Sequence, residues 1–493
     1  MKRAARTTQS GPRGACGCLI LLAAMGLARA PAAAEAPYQA MGTKVGEVTA
    51  RSAIIWARLT LEPQARWGGF RFPGPRVQDG GPPLLPGDVR VDDLDGACAG
   101  TPGRARLIIG TSPDLMGARR TPWVNVGPET DFTVQFHLTN LKPSTAYFYA
   151  IEARDPAGEV RRRERICRFV TAPRPNEWTE VTFVVITGQL YRHLDDPKGF
   201  KIYPAMGALS PSFLVATGDT VYYDGEPPRA TSVELARHHW HRMYALPRLV
   251  QFHRSVPGYW IKDDHDTWCN DCWPSMATKK MGDFTFAEGQ AVFLEQVPMS
   301  KRTHRTFRWG KGLQIWLPEG RDFRSPNNMP DGPEKTIWGE AQKQWLKRSI
   351  LASDAAFRIM VSATPMVGPD RPNKRDNHAN AAFATEGDEF RRWVRDQGLR
   401  NFFVVCGDRH WQYASVHPET GLWEFSCGPA SDEHAGGTPG EDPTYHRFHR
   451  VNGGFLSVAV TKVDGVPTCL FRHHDVDGNV VFEHTVTTAL DTD

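Results

Sequence analysis

Four short apolar runs in this chain stop on acidic residues, and that recurrence constrains the fold more than any other feature. The run 213–216 stops at Gly218-Asp219, the run 258–261 at Asp263-Asp-His-Asp266, the run 313–316 before Glu319-Gly-Arg321-Asp322, and the run 402–405 at Gly407-Asp-Arg-His410. Residues 213–216 are short, apolar and fenced by Pro211 and Gly218, so they read as a buried parallel strand. A carboxylate just past such a strand sits at the sheet edge where open α/β folds bind ligands. Hard oxygen ligands, imidazole and arginine are therefore expected on one edge, the donors that metal-assisted phosphoryl transfer requires.

Around these runs the chain from 178 to 488 alternates buried strands with helical stretches, as an α/β layered domain does. Further strands are expected at 181–186 and 357–361, helices at 232–244 and 338–351, and a return of β pattern at 453–486 that pairs onto the main sheet. Upstream, residues 41–175 read as a β-sandwich, with strand-like runs at 45–59, 104–109, 130–138, 147–153 and 166–170 between turn residues. The Gly- and Pro-rich stretch 68–103 reads as a long loop, and Arg161-Arg-Arg163 as a hairpin turn. Thr171-Ala-Pro-Arg-Pro-Asn176 breaks both helix and strand and marks the boundary. The helix 232–244 carries His238, His239 and His241; its core-packing role outweighs a ligand role, since only His238 and His241 share a face.

Charge excludes one class of partner. A net charge of +4 over 493 residues, with the arginines scattered, lacks the concentrated basic face of a nucleic-acid binder. Residues 1–34 have a basic start (Lys2, Arg3, Arg6, Arg13), an apolar run from Leu19 to Leu27 and small residues at Ala28-Arg-Ala30 and Ala32-Ala-Ala34. That run falls short of the roughly 20 residues that span a bilayer. It reads as a cleaved secretory signal, so the expected location is periplasmic, cell-surface or secreted. The mature chain has no transmembrane stretch. Of the 9 cysteines, Cys16 and Cys18 lie in this signal. Cys269-Asn-Asp-Cys272 is the only close pair, open to a local disulfide or two plain thiols.

Asp263, Asp264 and Asp266 within four positions repel one another, and Lys262 alone does not neutralise them, so solvent or a cation must. A solvated turn is the ordinary explanation of an acidic run. It loses ground here because His265 lies inside the run and Gly-Asp recurs at other strand ends. Gly218-Asp-Thr-Val-Tyr222, Asp263-Asp-His-Asp266 and Gly407-Asp-Arg-His410 resemble successive blocks of the PhoD-like alkaline phosphatase D family, within the calcineurin-like metallophosphoesterases. Gly-Asp-x-x-Tyr is shared with purple acid phosphatases. The resemblance extends through Arg321-Asp-Phe-Arg324, Trp338-Gly-Glu-Ala-Gln-Lys-Gln-Trp-Leu346 and Ser362-Ala-Thr-Pro365, and spans about residues 40 to 465.

What the resemblance implies is a calcineurin-like αββα sandwich after a fibronectin type III-like β-sandwich, and hydrolysis of phosphate monoesters or diesters by a metal-bound hydroxide. It implies Asp219 as the ligand bridging two metals, Tyr222 as a phenolate favouring Fe(III), Asp264 as a ligand, and His265 as the group assisting the leaving oxygen. Asp408 and His410 match the last block, with His410 the stronger ligand candidate, and Asn270 and Asp271 are positioned for a second or third metal such as Ca²⁺. Zn²⁺ and Mn²⁺ are alternatives to these ions. Arg321, Arg324 and Arg409 are candidates to hold the non-bridging phosphate oxygens, a task that suits arginine's fork. One departure stands out: Val184-Val-Ile-Thr-Gly-Gln189 places Gly188 where the family has a cysteine or aspartate ligand, leaving Gln189 or a water to fill the gap. On that reading Gly188→Cys raises iron retention. The competing reading is a binding or scaffold protein that has lost catalysis through Gly188.

Overall fold

The computed structural model describes residues 37–72, 81–158 and 161–488; the expected signal at 1–34 lies outside them. In the first sheet Val181–Ile186, Phe213–Ala216 and Gly258–Trp260 run parallel. Ile186 pairs with Ala216, and Ala216 with Trp260, so three chains leave the sheet at one level. In the second sheet Leu313–Leu317, Phe357–Ser362 and Phe402–Cys406 are also parallel, with Ser362 opposite Cys406.

Successive side chains of a strand point to opposite faces, and here both faces are covered. Phe183, Val185, Phe213 and Val215 share a core with Ile315, Ile359, Val361 and Val405 of the second sheet. Their neighbours Val184, Ile186, Leu214 and Ala216 pack with Tyr203, Met206, Trp240, Leu249 and Phe293. These come from the helices Ile202–Ala208, Val233–Tyr244, Pro247–His253 and Phe286–Gln296. On the outer face of the second sheet Trp316, Met360 and Val404 pack against Leu346, Ile350, Phe390 and Val394, from Glu340–Leu351 and Ala384–Asp396. The result is an αββα stack. Burial on both faces is why its strands read as unbroken apolar runs.

The first sheet continues past both edges of this centre. On one side Phe455–Val463, Val466–His474 and Val480–Thr487 add the β structure expected near the C-terminus. On the other side Gly46 pairs with Gly258, and Thr43–Gly46, Ala53–Arg58 and Thr133–Leu138 extend the same sheet. The expected single run at 45–59 is thus a hairpin, turned where the Thr49 N–H donates to the Ser52 carbonyl. Gly103–Gly110 and Ala146–Arg154 form the opposing sheet of the N-terminal sandwich. The Tyr147 hydroxyl there accepts the Lys142 N–H at 2.9 Å. Ile55, Leu107, Ile109, Phe136 and Tyr149 between these sheets belong to the same continuous core as Phe183 and Val215. The sequence pattern changes at 171–176, but packing runs across it.

A buried polar knot ties the N-terminal sandwich to two helices of the stack. Asp131 accepts from Arg58 at 2.9 and 3.0 Å, from the Gln296 amide at 2.8 Å and from His241 Nε2 at 2.5 Å. His241 is thereby a structural residue, while His239 sits against the Pro228 carbonyl and Arg242. Removing one partner of a buried pair leaves the other charge uncompensated, which costs about 3–5 kcal/mol. Asp131→Ala is therefore expected to lower unfolding stability of the full chain by roughly that amount, read as a shift in urea midpoint. A loss below about 1 kcal/mol would mean that the Arg58 charge finds compensation elsewhere.

Candidate metal centre

The level at which the parallel strands end sets the site. Gly218 and Asp219 leave the Phe213–Ala216 strand with φ of +98° and +53°, and Asp408 leaves the second sheet with φ +59°. A non-glycine residue held in the left-handed region costs of order 1–3 kcal/mol and persists only where its surroundings enforce it. Gly218 makes the approach possible: a Cβ there would lie 2.5 Å from the Asp263 Cβ and 2.6 Å from its nitrogen. The two acidic loops are in direct backbone contact.

The acidic run 263–266 divides into separate roles. Lys262 turns away and pairs with Glu319 at 2.6 Å and Asp322 at 2.5 Å. Asp263 is held by Arg321, with Nε at 2.7 Å. Asp266 accepts the N–H groups of Asp263 and Thr220, bracing the two loops together, and burial pushes its carboxyl up to about 7. Asp264 accepts the N–H of His265 at 2.9 Å and of Asp271 at 2.5 Å. Burial alone would raise the Asp264 carboxyl, but His265, Arg321 and Lys374 outweigh it and hold it below the usual range.

Asp219, Asp264 and His265 offer ligand atoms within 4.8 Å of one another. Asp219 is almost fully buried; its Oδ2 accepts the Tyr222 hydroxyl at 2.9 Å and lies 4.0 Å from His410 Nε2, while its Oδ1 has no hydrogen-bond partner. Burial, with Asp264, Asp263 and Asp266 close by, pushes the Asp219 carboxyl well above its ordinary value. A buried carboxylate oxygen without a donor is costly, and a cation beside Asp219 and Asp264 removes that cost. The residues present therefore fit a metal centre. His265 donates from Nδ1 to Asp224 at 2.5 Å. Burial lowers its pKa, but Asp224, Asp264 and Asp219 more than reverse this and raise it well above the ordinary imidazole value. Its other nitrogen is left for a ligand.

Several sequence-predicted residues are placed elsewhere. The Gln189 carbonyl oxygen accepts the Tyr203 hydroxyl at 2.5 Å, so its side chain turns into the helix-side core and does not fill the gap at Gly188. Asn270 is exposed and contributes its backbone N–H to Asp224. Arg321 and Arg409 are fully buried. Arg321 spends its fork on Asp263, and Arg409 is paired with Asp370 and Asp408. They position carboxylates instead of facing a phosphate, because an unpaired guanidinium at that depth would be prohibitively desolvated. Asp408 is thereby drawn to Arg409, leaving His410 as the last block's half-exposed donor beside Asp219. Cys269 and Cys272 are buried free thiols.

A second acidic group, Asp264, Asp271 and Asp376, also lies within 4.8 Å. Its charge is met by the chain itself: Lys374 Nζ is 2.6 Å from Asp271 and 3.5 Å from Asp376, and Arg321 is 3.7 Å from Asp376. Asp224, Asp370, Lys374, Asp376 and His434 were missed by sequence reasoning. Asp224 closes the Gly-Asp-x-x-Tyr stretch and was within reach; the others lie seven or more residues beyond the strands Phe357–Ser362 and Trp423–Cys427, outside any strand-end block.

With this geometry the comparisons are consistent. The PhoD-like phosphatase family matches residues 183–452, and the PhoD-like phosphatase N-terminal domain matches residues 26–173. The chain belongs to the PhoD-like phosphatases. No curated protein matches it in sequence. Among solved structures, one described as the structure of PhoD is similar with a TM-score of 0.72 at 15% identity, covering 94% of each chain. Purple acid phosphatase PPD1 from yellow lupin (Lupinus luteus) seeds is similar with a TM-score of 0.59 at 12% identity, covering 90% of this chain and 74% of that one. These likenesses agree with the αββα sandwich described above.

Gly188 has a steric reason. Its φ is +60°, and a Cβ there would lie 3.3 Å from the Pro429 Cα and 3.5 Å from His434 Nδ1. A side chain at this position is therefore strained by the backbone and tight against Pro429. Gly188→Cys is accordingly expected to lower stability by about 1–3 kcal/mol, and Gly188→Ala by a similar amount, in chemical unfolding of the metal-free protein. A neutral Gly188→Ala would return the position to the status of a vacant ligand site.

Proposed function

We propose that this PhoD-like phosphatase is an exported metal-dependent enzyme that hydrolyses phosphate monoesters and diesters. The observation that carries the reading is the buried Asp219 carboxylate, with one oxygen unpartnered, facing Asp264 and His265. Metal ions bound there would supply Lewis acidity and lower the pKa of a water so that it attacks phosphorus at neutral pH. Asp219, Tyr222, Asp264 and His410 would hold them. Phenolate and imidazole suit Fe(III), with Ca²⁺, Zn²⁺ or Mn²⁺ as the partner ion.

The chain's own residues supply the rest. His265 presents a proton toward the departing oxygen, and Asp224 fixes its ring and its tautomer. Arg321 and Asp266 hold the two acidic loops at fixed separation, so the carboxylates need not reorganise during turnover. Arg371, partly exposed and 3.7 Å from Asp370, is the cation beside the cluster that would be free to meet a phosphate ester's oxygens. Export is supported by the basic, apolar and small-residue pattern of residues 1–34. No helix among the described residues is long and apolar enough to cross a membrane.

The test is hydrolysis of a chromogenic phosphate monoester and diester with Fe, Ca²⁺, Zn²⁺ and Mn²⁺ each restored to stripped protein. No turnover with any ion would leave the scaffold reading standing. His265→Ala is expected to lower turnover by at least ~100-fold, the low end of positioned acid–base catalysis. Asp224→Asn should lower it less, because the ring remains while its orientation and charge are weakened. Near-normal turnover of His265→Ala would remove that residue from the mechanism.

A further inference from the structure

The space beside Gly188 is occupied by an imidazole from a distant turn. His434 Nδ1 donates to the Gly188 carbonyl at 2.9 Å, and the same carbonyl accepts the Ala430 N–H at 3.3 Å. The turn carrying it is stitched to the other acidic loop as well, since the Gly436 N–H donates to the His410 carbonyl at 2.9 Å. It is anchored a third time where the Asp432 carboxylate accepts the Gly453 N–H at 2.9 Å. The His434 ring lies 4.0 Å from the His410 ring and 5.5 Å from the Tyr222 ring, centre to centre. With Nδ1 carrying the proton, Nε2 is the bare nitrogen, and it has no hydrogen-bond partner among the described residues.

A metal-ligating histidine usually donates its second ring nitrogen to a carbonyl or carboxylate, which fixes tautomer and direction. His434 meets that condition through Gly188, as His265 does through Asp224. We propose that His434 is a metal ligand through Nε2, joining the centre from the side of His410 and Tyr222, the two ligand candidates whose rings it adjoins. The proposal rests on the metallophosphoesterase reading and adds a donor that the strand-end motifs do not contain. It also gives the close approach at Gly188 a purpose, because the imidazole packs directly where a longer side chain from that position would have to lie.

The experiment uses full-length wild type, His434→Ala and His434→Gln, each stripped of metal. Zn²⁺ is titrated against a competing chelator, and thermal unfolding of the stripped proteins is recorded in parallel. The expected result is a fall in affinity of the tighter Zn²⁺ site by at least ~10-fold in both variants, with stripped proteins unfolding near the wild-type temperature. X-ray absorption of the Zn²⁺-loaded proteins should show one imidazole fewer. A measurement on wild type alone covers the case in which neither variant folds: Zn²⁺ should protect His434 from diethylpyrocarbonate while exposed His137 stays reactive. Unchanged affinity and imidazole count, or, if neither variant folds, His434 modified equally with and without Zn²⁺, would overturn the proposal while leaving the phosphoesterase reading intact. Wild type that takes up no Zn²⁺ and shows no turnover with any ion would instead overturn both.

Discussion

The register of three parallel strands is the constraint on which the site depends. Because Ile186, Ala216 and Trp260 lie opposite one another, the loops that follow emerge together and Gly218 can touch Asp263. A strand slipped by one residue would turn its side chains to the other face, exchanging Val184 for Val185 and breaking both cores. Register is therefore enforced by burial on two sides of the sheet. The acidic loops inherit that precision and are pinned further by Val221, Tyr223 and Trp268, which pack into the helix-side core.

Holding these carboxylates out of water is costly, and the fold meets most of the cost internally. Asp263 takes Arg321, Asp370 takes Arg409, Asp271 takes Lys374, and Glu319 with Asp322 takes Lys262. Arginines that a motif assigns to substrate are used here as fixed counter-ions. Their depth decides it: a guanidinium with no solvent exposure cannot be withheld from a carboxylate for a ligand that comes and goes.

The strands were legible because each is buried on both faces, so apolar continuity alone marked 181–186 and 213–216 to the residue. The helix expected at 232–244 is observed at Val233–Tyr244, with Ser232 as its cap. Phe286–Gln296 was missed although its Thr285 and Glu288 form a capping box, a signal present in the sequence. Asp219, Tyr222, Asp264, His265 and His410 could be named because they follow strands in recognisable blocks. His434 and Asp376 could not, since neither lies in a block that directly follows a strand and the sequence around each has no periodicity. Gly188 was legible as an anomaly, but the positive φ and the close neighbour that go with it were not, because backbone conformation leaves no mark in a family block.

Charge compensation also explains why the reactive point lies where it does. Among the clustered carboxylates, those with a nearby lysine or arginine are locked in place and chemically quiet. Asp219 has none; its contacts are a phenol, two imidazoles and other carboxylates. It is also the residue in a strained left-handed backbone at the level where the strands end. Strain, burial and unmet charge coincide at one side chain, and the groups around it are ones that either bind a cation or move a proton. A chain that merely retained the fold would have no reason to keep that carboxyl buried among other acids with no lysine or arginine against it, because a neutral residue there would be the more stable choice.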